Sequence, residues 1–206
     1  MKDHWKRLLA GLDYKPGETI VDIGGAMDPV PIADAVIDLI SPTVEVGTFF
    51  QVDITSQPLP FSDKLFDICV CSQTLEDLTS PMLVLGEMQR IAKRGVIEVP
   101  HRGIESLKNM HYNGYSKPHY AMPEVWHFGT GHHKWLIEQY GDDMLLFTPK
   151  IQYMLMRHPI PKWNGPGGIT FYWKDSFQYG LLYDIDEQTV DENFKSFRER
   201  NRQYWE

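Results

Sequence analysis

Short apolar runs, separated by glycine, proline and polar residues, predict five strands in the first hundred residues. The fourth run is apolar almost throughout, which is typical of a parallel strand covered on both faces. Ser80 and Pro81 open a predicted helix with an apolar residue every three to four positions, and Gly95 is expected to cap its end. The predicted strands are 19–23, 35–40, 49–54, 65–71 and 95–100.

A further helix is predicted before the first strand. Trp5, Leu8, Leu9 and Leu12 fall on one helical face over residues 3–12. Strands in series with helices before and between them predict an α/β fold with a mostly parallel sheet. The proline-rich gap between the first two strands is too short for the usual crossover helix.

Beyond residue 100 the pattern changes to hairpins. Gly141 separates two apolar runs at 135–140 and 144–148, which predicts an antiparallel hairpin. A strand is predicted at 151–156, and a second antiparallel pair at 169–174 and 179–183. A final helix is predicted from a capping box at Thr189, with Phe194, Phe197 and Tyr204 on one face. The length of 206 residues fits a single domain, 1–206.

Composition narrows the class of partner. The net charge is −8 without a run of Lys or Arg, which argues against nucleic acid as the main partner. Cys69 and Cys71 lie on one face of the fourth strand, where a bridge would be strained, so two free thiols and a reducing compartment are predicted. No signal peptide and no membrane-spanning apolar run are recognised, so the prediction is cytoplasmic. No particular oligomeric state is predicted.

The candidate ligand site is the segment TIVDIGGAMDPVP at 19–31. A strand that ends at Gly24 and Gly25 exposes backbone at the carboxyl edge of a sheet, where ligands bind in open α/β folds. Asp22 sets a carboxylate at this edge, although a plain tight turn is the alternative. Asp38 ends an apolar strand, where burial requires a partner, unless it is an exposed strand-end acid.

Residues 19–100 resemble the class I S-adenosylmethionine-dependent methyltransferases, in the small-molecule, type 11-like branch. The resemblance rests on the order and spacing of several motifs together. The motifs are VDIGGAMDP at 21–29, LPFSD at 59–63, FD at 66–67, LE at 75–76 and EMQRIAKRG at 87–95. The resemblance implies a Rossmann-like sheet with helices on both faces. It also implies S-adenosylmethionine as cofactor and S-adenosylhomocysteine as product.

The same resemblance implies a role for each matching residue. Asp22 and the Gly24 carbonyl would hold the methionine amino group, and Asp38 would accept both ribose hydroxyls. Asp53 and the Ile54 N–H would meet the adenine. The full predicted cofactor set is Asp22, Gly24, Gly25, Ala26, Asp38, Asp53, Ile54, Ser72 and Gln73.

Three departures from the family pattern keep a second function open. Ala26 and Asp28 replace loop glycines, and Asp77 replaces a histidine found in many relatives. A non-catalytic binding or scaffold module with a degenerate site is therefore the alternative to a methyltransferase. The orientation of Asp38 separates the two, since a ribose site requires its carboxylate to face the glycine loop.

The acceptor side is predicted from residues 101–206, with 1–100 as the cofactor half. His101 directly follows the fifth strand and is the candidate general base, with strand-end capping as its alternative. Six of the eight histidines lie between 101 and 133, interleaved with aromatic residues. They predict a lid over a small acceptor, such as a sugar or metabolite methylated on oxygen or nitrogen, or else an aromatic packing layer. A metal-dependent hydrolase would need His127, His132 and His133 to converge; no metal is predicted.

Overall fold

The computed structural model describes residues 2–42, 44–107, 128–182 and 186–206 of the protein. Its strands are β1 Ile20–Ile23, β2 Ala35–Asp38, β3 Thr48–Gln51, β4 Phe66–Ser72, β5 Ala92–Pro100, β6 Trp135–Tyr140, β7 Met144–Pro149, β8 Gly168–Lys174 and β9 Gln178–Leu181. Its helices are α1 Asp3–Gly11, α2 Met82–Ile91, α3 Arg102–Glu105, α4 Gln152–Arg157 and α5 Glu187–Arg200, with a 3₁₀ turn at Arg202–Tyr204.

The larger sheet confirms the predicted α/β fold. Its strand order is β3-β2-β1-β4-β5-β8, and every neighbouring pair is parallel except β5 and β8. β2 and β3 lie in turn on one side of β1, and β4 then lies on the other side of β1. The order of the strands therefore reverses between β1 and β4, and the loops that follow these strands diverge there.

Each face of the larger sheet is covered. Trp5, Leu8 and Leu9 of α1 pack on one face, against apolar residues of β1, β2, β4 and β5. On the other face, α2 and the smaller sheet β6-β7-β9 share one core with the alternate residues of the same strands. Residues 24–34, all of them described, contain no helix. This confirms the predicted short crossover.

The buried cysteines lie as the sequence indicates. Cys69 and Cys71 both belong to the core that α2 covers, and both are free. Burial raises the pKa of both thiols well above the usual range. None of the described helices is both long and apolar enough to cross a membrane.

The predicted strand at 151–156 is wrong, because this segment forms α4. Met154 and Leu155 are buried while Tyr153 and Met156 are exposed. Burial of adjacent residues does not fit the alternation of a half-buried strand, and a short apolar run does not distinguish helix from strand by itself.

The predicted hairpin at 135–148 is confirmed as β6 and β7, but the second predicted pair is wrong. β8 pairs antiparallel with β5, from Arg94 opposite Lys174 to Pro100 opposite Gly168. β9 pairs parallel with β7 in the other sheet. Ile169, Phe171 and Trp173 of β8 are buried in alternation, so joining β5 buries a whole apolar face.

The predicted helix caps also differ. Gly95 lies inside β5, where a Cβ would stand 2.3 Å from the backbone oxygen of Cys69, so close strand packing explains this glycine. Pro81 occupies the N-cap of α2, with no hydrogen bond from a capping side chain. Asp186 caps α5 by accepting from the N–H of Thr189 at 2.9 Å, so the helix begins before the predicted capping box.

Candidate functional site

The glycine loop after β1 lies at the point where the strand order reverses. The N–H of Gly24 donates to the carbonyl of Ile37 in β2 at 2.8 Å. Gly24 has φ +77°, and a Cβ there would lie 2.3 Å from the Thr74 side chain that follows β4. Any residue other than glycine is excluded here for two reasons: its φ would be strained, and its Cβ would clash with Thr74. The loop is thus held between the ends of β2 and β4.

Asp38 faces the glycine loop. One carboxylate oxygen accepts from the Ala26 N–H at 3.0 Å, and the other accepts from the Ile40 N–H at 3.1 Å. The residue is half-buried. Each carboxylate oxygen can accept more than one hydrogen bond, so Asp38 keeps acceptor capacity beyond these two bonds. This is the orientation that a ribose site requires.

Asp22 lies beneath the glycine loop. Its carboxylate is 1% exposed and accepts from the Val30 N–H at 2.8 Å. A Cβ on Gly25 would stand 2.1 Å from the carboxylate, so the loop crosses directly over it. Burial raises the pKa of Asp22 to about 7. Asp22 therefore shapes the loop from below, and its contact with a methionine amino group stays a prediction.

The two substitutions in the glycine loop have separate local roles. Ala26 is fully buried, and its N–H is the donor to Asp38. Asp28 is exposed and forms an ion pair with Lys2 at 2.6 Å. The charge of Asp28 is thus compensated by a residue next to α1, and the carboxylate points away from the buried part of the loop.

Asp53 and Ile54 lie on the loop after β3. Asp53 is exposed and accepts from the N–H and hydroxyl of Thr55 at 2.9 Å and 2.7 Å, and these bonds lower its pKa. Ile54 is buried in the core. The N–H of Val52 donates to the carbonyl of Asp38 at 3.0 Å, which ties this loop to the end of β2. The adenine contacts of Asp53 and Ile54 stay predictions.

Ser72 and Gln73 end β4 beside a buried acid that was missed in the sequence. The Ser72 hydroxyl donates to the Glu98 carboxylate at 3.0 Å, and the Gln73 N–H donates to the Glu98 carbonyl at 2.8 Å. Glu98 also pairs with His4 of α1 at 3.0 Å. The signal was available, because Glu98 is a lone acid in an apolar strand, as Asp38 is.

His101 caps the short helix α3. Its Nδ1 accepts from the Gly103 N–H at 3.0 Å, and its ring stacks on Trp163 with 4.9 Å between ring centroids. Burial lowers the pKa of His101, which favours the neutral ring. Because Nδ1 is the acceptor, the single proton of that ring is on Nε2. In this state Nε2 donates a hydrogen bond, and a role as general base would require the other tautomer.

A cavity of about 540 Å³ opens beside His101. Its polar lining includes Glu138 of β6, Thr170 of β8 and Arg200 of α5. Glu138 accepts from Arg200 at 3.0 Å and from the fully buried Arg102 at 2.5 Å. These residues were missed in the sequence, although Glu138 is again a lone acid in an apolar run.

The histidine-rich segment is only partly described. His111, His119 and His127 lie outside the described residues, so the predicted lid and the convergence of three imidazoles stay predictions. His132 and His133 are described, and both lie near Asp77. Asp77, which replaces a histidine found in many relatives of the family, is therefore the third member of this group.

Comparison with known protein families gives a match that covers the middle of the chain. The family described as "Methionine biosynthesis protein MetW" matches residues 33–141, slightly more than half of the chain. The matched region includes β2 to β5, and with them Asp38, Asp53, Ser72, Gln73 and His101. A search of the curated proteins finds no significant match.

Several solved structures are similar to part of the chain. They include a SAM-dependent methyltransferase from Aquifex aeolicus (16% identity, 55% of this chain and 69% of that chain, TM-score 0.40). An S-adenosylmethionine-dependent methyltransferase from Mesorhizobium loti matches at 17% identity over 55% and 61%, with TM-score 0.40. The YcgJ protein from Bacillus subtilis matches at 18% identity over 48% and 52%, with TM-score 0.40. The chain aligns with about half the length of the first structures matched. At these TM-scores the likeness carries no functional argument.

Proposed function

The chain belongs to the family of methionine biosynthesis protein MetW, and on that premise we propose that it is an S-adenosylmethionine-dependent methyltransferase acting on a small molecule. The observation that carries the proposal is the orientation of Asp38. Its carboxylate meets the Ala26 N–H of the glycine loop at 3.0 Å, at the reversal of strand order between β1 and β4. Nucleotide ligands bind at this point in open α/β sheets.

The residues around the glycine loop offer a group suited to each part of the cofactor: the ribose, the methionine end and the adenine. Asp38 would accept the ribose hydroxyls with its remaining acceptor capacity. Gly24 and Gly25 leave the backbone bare for the methionine end, with Ser72 and Gln73 alongside. Leu39 and Ile40, 62% and 50% exposed, directly follow Asp38 and offer apolar surface to the adenine.

S-adenosylmethionine, when bound, would supply an electrophilic methyl group on a sulfonium. The residues of the chain would then have to align the acceptor with that methyl group and to exclude water. The hydrogen bond between the half-buried Ser72 and the buried Glu98 ties the end of β4 to β5.

The cavity beside His101 is our candidate acceptor site. It follows β5 at the same carboxyl edge as the glycine loop, and its volume of about 540 Å³ suits a small molecule. Polar groups of both charge signs line it, and in the neutral ring Nε2 of His101 donates to an acceptor oxygen or nitrogen. His101 thus orients the acceptor. It can take a proton at Nε2 only if Nδ1 no longer accepts the hydrogen bond from the Gly103 N–H.

The two free, buried cysteines support a reducing compartment such as the cytoplasm.

Calorimetric titration with S-adenosylmethionine and S-adenosylhomocysteine tests the proposal. We expect both to bind, and we expect Asp38→Asn to weaken both at least about tenfold, because an amide cannot accept hydrogen bonds from two hydroxyls as a carboxylate does. Asp142→Asn is the matched control, since Asp142 is exposed at the tip of the β6–β7 hairpin. It removes the same charge far from the glycine loop and should leave both affinities unchanged.

A well-folded protein that binds neither ligand would contradict the proposal. The non-catalytic binding or scaffold module would then be the better description of this fold. Binding that is equally weak in Asp38→Asn and Asp142→Asn would also contradict it, because the affinity would then reflect overall charge rather than a ribose contact.

A further inference from the structure

An acid and two histidines converge where the loop after β4 meets the turn before β6. Oδ1 of Asp77 lies 3.6 Å from Nε2 of His132 and 4.0 Å from Nε2 of His133. One ligand atom from each residue lies within 4.8 Å of the other two. These separations are too long for direct hydrogen bonds. They approach the spacing of about 3–4 Å between ligand atoms around an ion with bonds of about 2.0–2.2 Å.

One carboxylate oxygen of Asp77 is shielded from solvent. This oxygen, Oδ1, accepts no hydrogen bond from any residue that the structure describes, and the two imidazoles approach it at ion-pair distance. A buried carboxylate oxygen without a donor is destabilising. The loop is nevertheless fixed in place, because the Lys134 N–H donates to the Glu76 carbonyl at 2.7 Å. The group is therefore held together before any ion binds.

His133 lies between Asp77 and a second carboxylate. Its Nδ1 lies 3.0 Å from Oε1 of the buried Glu105, but neither atom has a hydrogen-bond partner among the described residues, so this is an ion-pair contact. The other oxygen of Glu105 accepts from the Thr130 N–H at 3.1 Å and pairs with Lys150. Because Nδ1 is turned toward Glu105, Nε2 is the ring nitrogen of His133 that faces Asp77.

A third carboxyl group lies next to the three converging groups. Glu76 directly precedes Asp77 and is 1% exposed. Within the described part of the chain, neither of its oxygens has a hydrogen-bond partner. Two ammonium groups also border the site, since Lys134 donates to the Asp77 carbonyl and Lys150 pairs with Glu105.

We propose that Asp77, His132 and His133 bind a divalent transition-metal ion. Two imidazole nitrogens and one carboxylate oxygen suit Zn²⁺, Fe²⁺ or Co²⁺, whereas Mg²⁺ and Ca²⁺ prefer oxygen ligands. Asp77 follows β4 and both histidines precede β6, so the ion fastens the smaller sheet to the edge of the larger one.

Calorimetric titration of the full chain with Zn²⁺, after treatment with a chelator, tests the proposal. We expect the wild type to bind one Zn²⁺ per chain. Asp77→Asn and His132→Ala should each bind this ion at least about tenfold more weakly or not at all. His132 has a side chain that is 71% exposed, so its removal should not affect folding. The matched control is His158→Ala, which removes another histidine paired with an acid, Asp191 at 2.7 Å. That variant should bind Zn²⁺ as the wild type does.

Thermal unfolding supplies the second measurement. Zn²⁺ should raise the unfolding temperature of the wild type and of His158→Ala, and should raise it less in His132→Ala. The proposal is overturned if the wild type binds no Zn²⁺. It is also overturned if Asp77→Asn and His132→Ala bind as the wild type does, or if His158→Ala weakens binding equally.

Discussion

Single acids in apolar strands form hydrogen bonds to other elements of this protein. Asp38, Glu98 and Glu138 each interrupt an apolar run, and each accepts hydrogen bonds in the folded chain. Asp38 was recognised from the sequence because an acid that ends an apolar strand needs a partner when buried, and the resemblance then added a role for it. Glu98 and Glu138 were missed because their partners, Ser72 and Arg102, come from other elements that a linear pattern does not bring together.

Asp22 should make the stability of the protein fall as the pH rises. Its ordinary pKa is 3.8, and burial raises it to about 7 in the folded state. Between these values the folded protein holds a proton that the unfolded chain releases, so the free energy of unfolding decreases with pH. The contribution of Asp22 is complete below about pH 4 and lost above about pH 7, and amounts to roughly 4 kcal/mol at most.

Asp22→Asn isolates this contribution. Urea unfolding at several pH values between about 4 and 8 should show that the variant loses less stability than the wild type as the pH rises. Other carboxylates titrate equally in both proteins and cancel in the comparison. Parallel stability curves for the two proteins would mean that Asp22 is ionised throughout this range and that its burial is compensated.

At the scale of the elements, local patterns predicted that β1 to β5 and α1 exist, but several bounds differ. β2 and β3 end earlier than predicted, at Asp38 and Gln51, and β5 begins earlier, at Ala92. Pairings between distant segments were not predictable in the same way. β8 joins β5 across about seventy intervening residues, and no local signal distinguishes that partner from the nearby β9. The identity of α4 was missed because its six residues are too few to show a helical period.

Two glycines in adjacent elements should respond oppositely to the same substitution. A Cβ on Gly95 in β5 would stand 2.3 Å from the Cys69 carbonyl oxygen and 2.8 Å from the Trp173 ring. Gly95→Ala should therefore destabilise the protein by about 1–3 kcal/mol, since a backbone atom has to move. Gly86 lies in α2, where a Cβ would meet only the Tyr179 hydroxyl at 3.6 Å. Gly86→Ala should stabilise the protein by about 0.5–1 kcal/mol.

Denaturant unfolding of the two variants checks both signs. The pair serves as its own control, because each variant adds one methyl group to a glycine of the same fold. A Gly95→Ala protein as stable as the wild type would mean that β4 and β5 separate at little cost. The close approach would then not explain the glycine.

At the scale of the whole molecule, the two sheets share one core. Phe147 of the smaller sheet is fully buried in the same cluster as Val21 and Ile97 of the larger sheet. Because this core continues across both sheets, separating the sheets would expose apolar surface on each of them. We therefore expect the chain to fold as a single domain, with one cooperative unfolding transition.

Phe147→Ala, a truncation in the smaller sheet, tests whether the two sheets unfold together. Removing a buried phenylalanine should lower the free energy of unfolding by about 3–5 kcal/mol. Circular dichroism and tryptophan fluorescence should still report one coincident transition, because both sheets lose stability together. Leu65→Ala is the control, since Leu65 is 49% exposed and its truncation should change stability little. Two separate transitions, with the larger sheet unaffected by Phe147→Ala, would contradict a single domain and make the smaller sheet an independent unit.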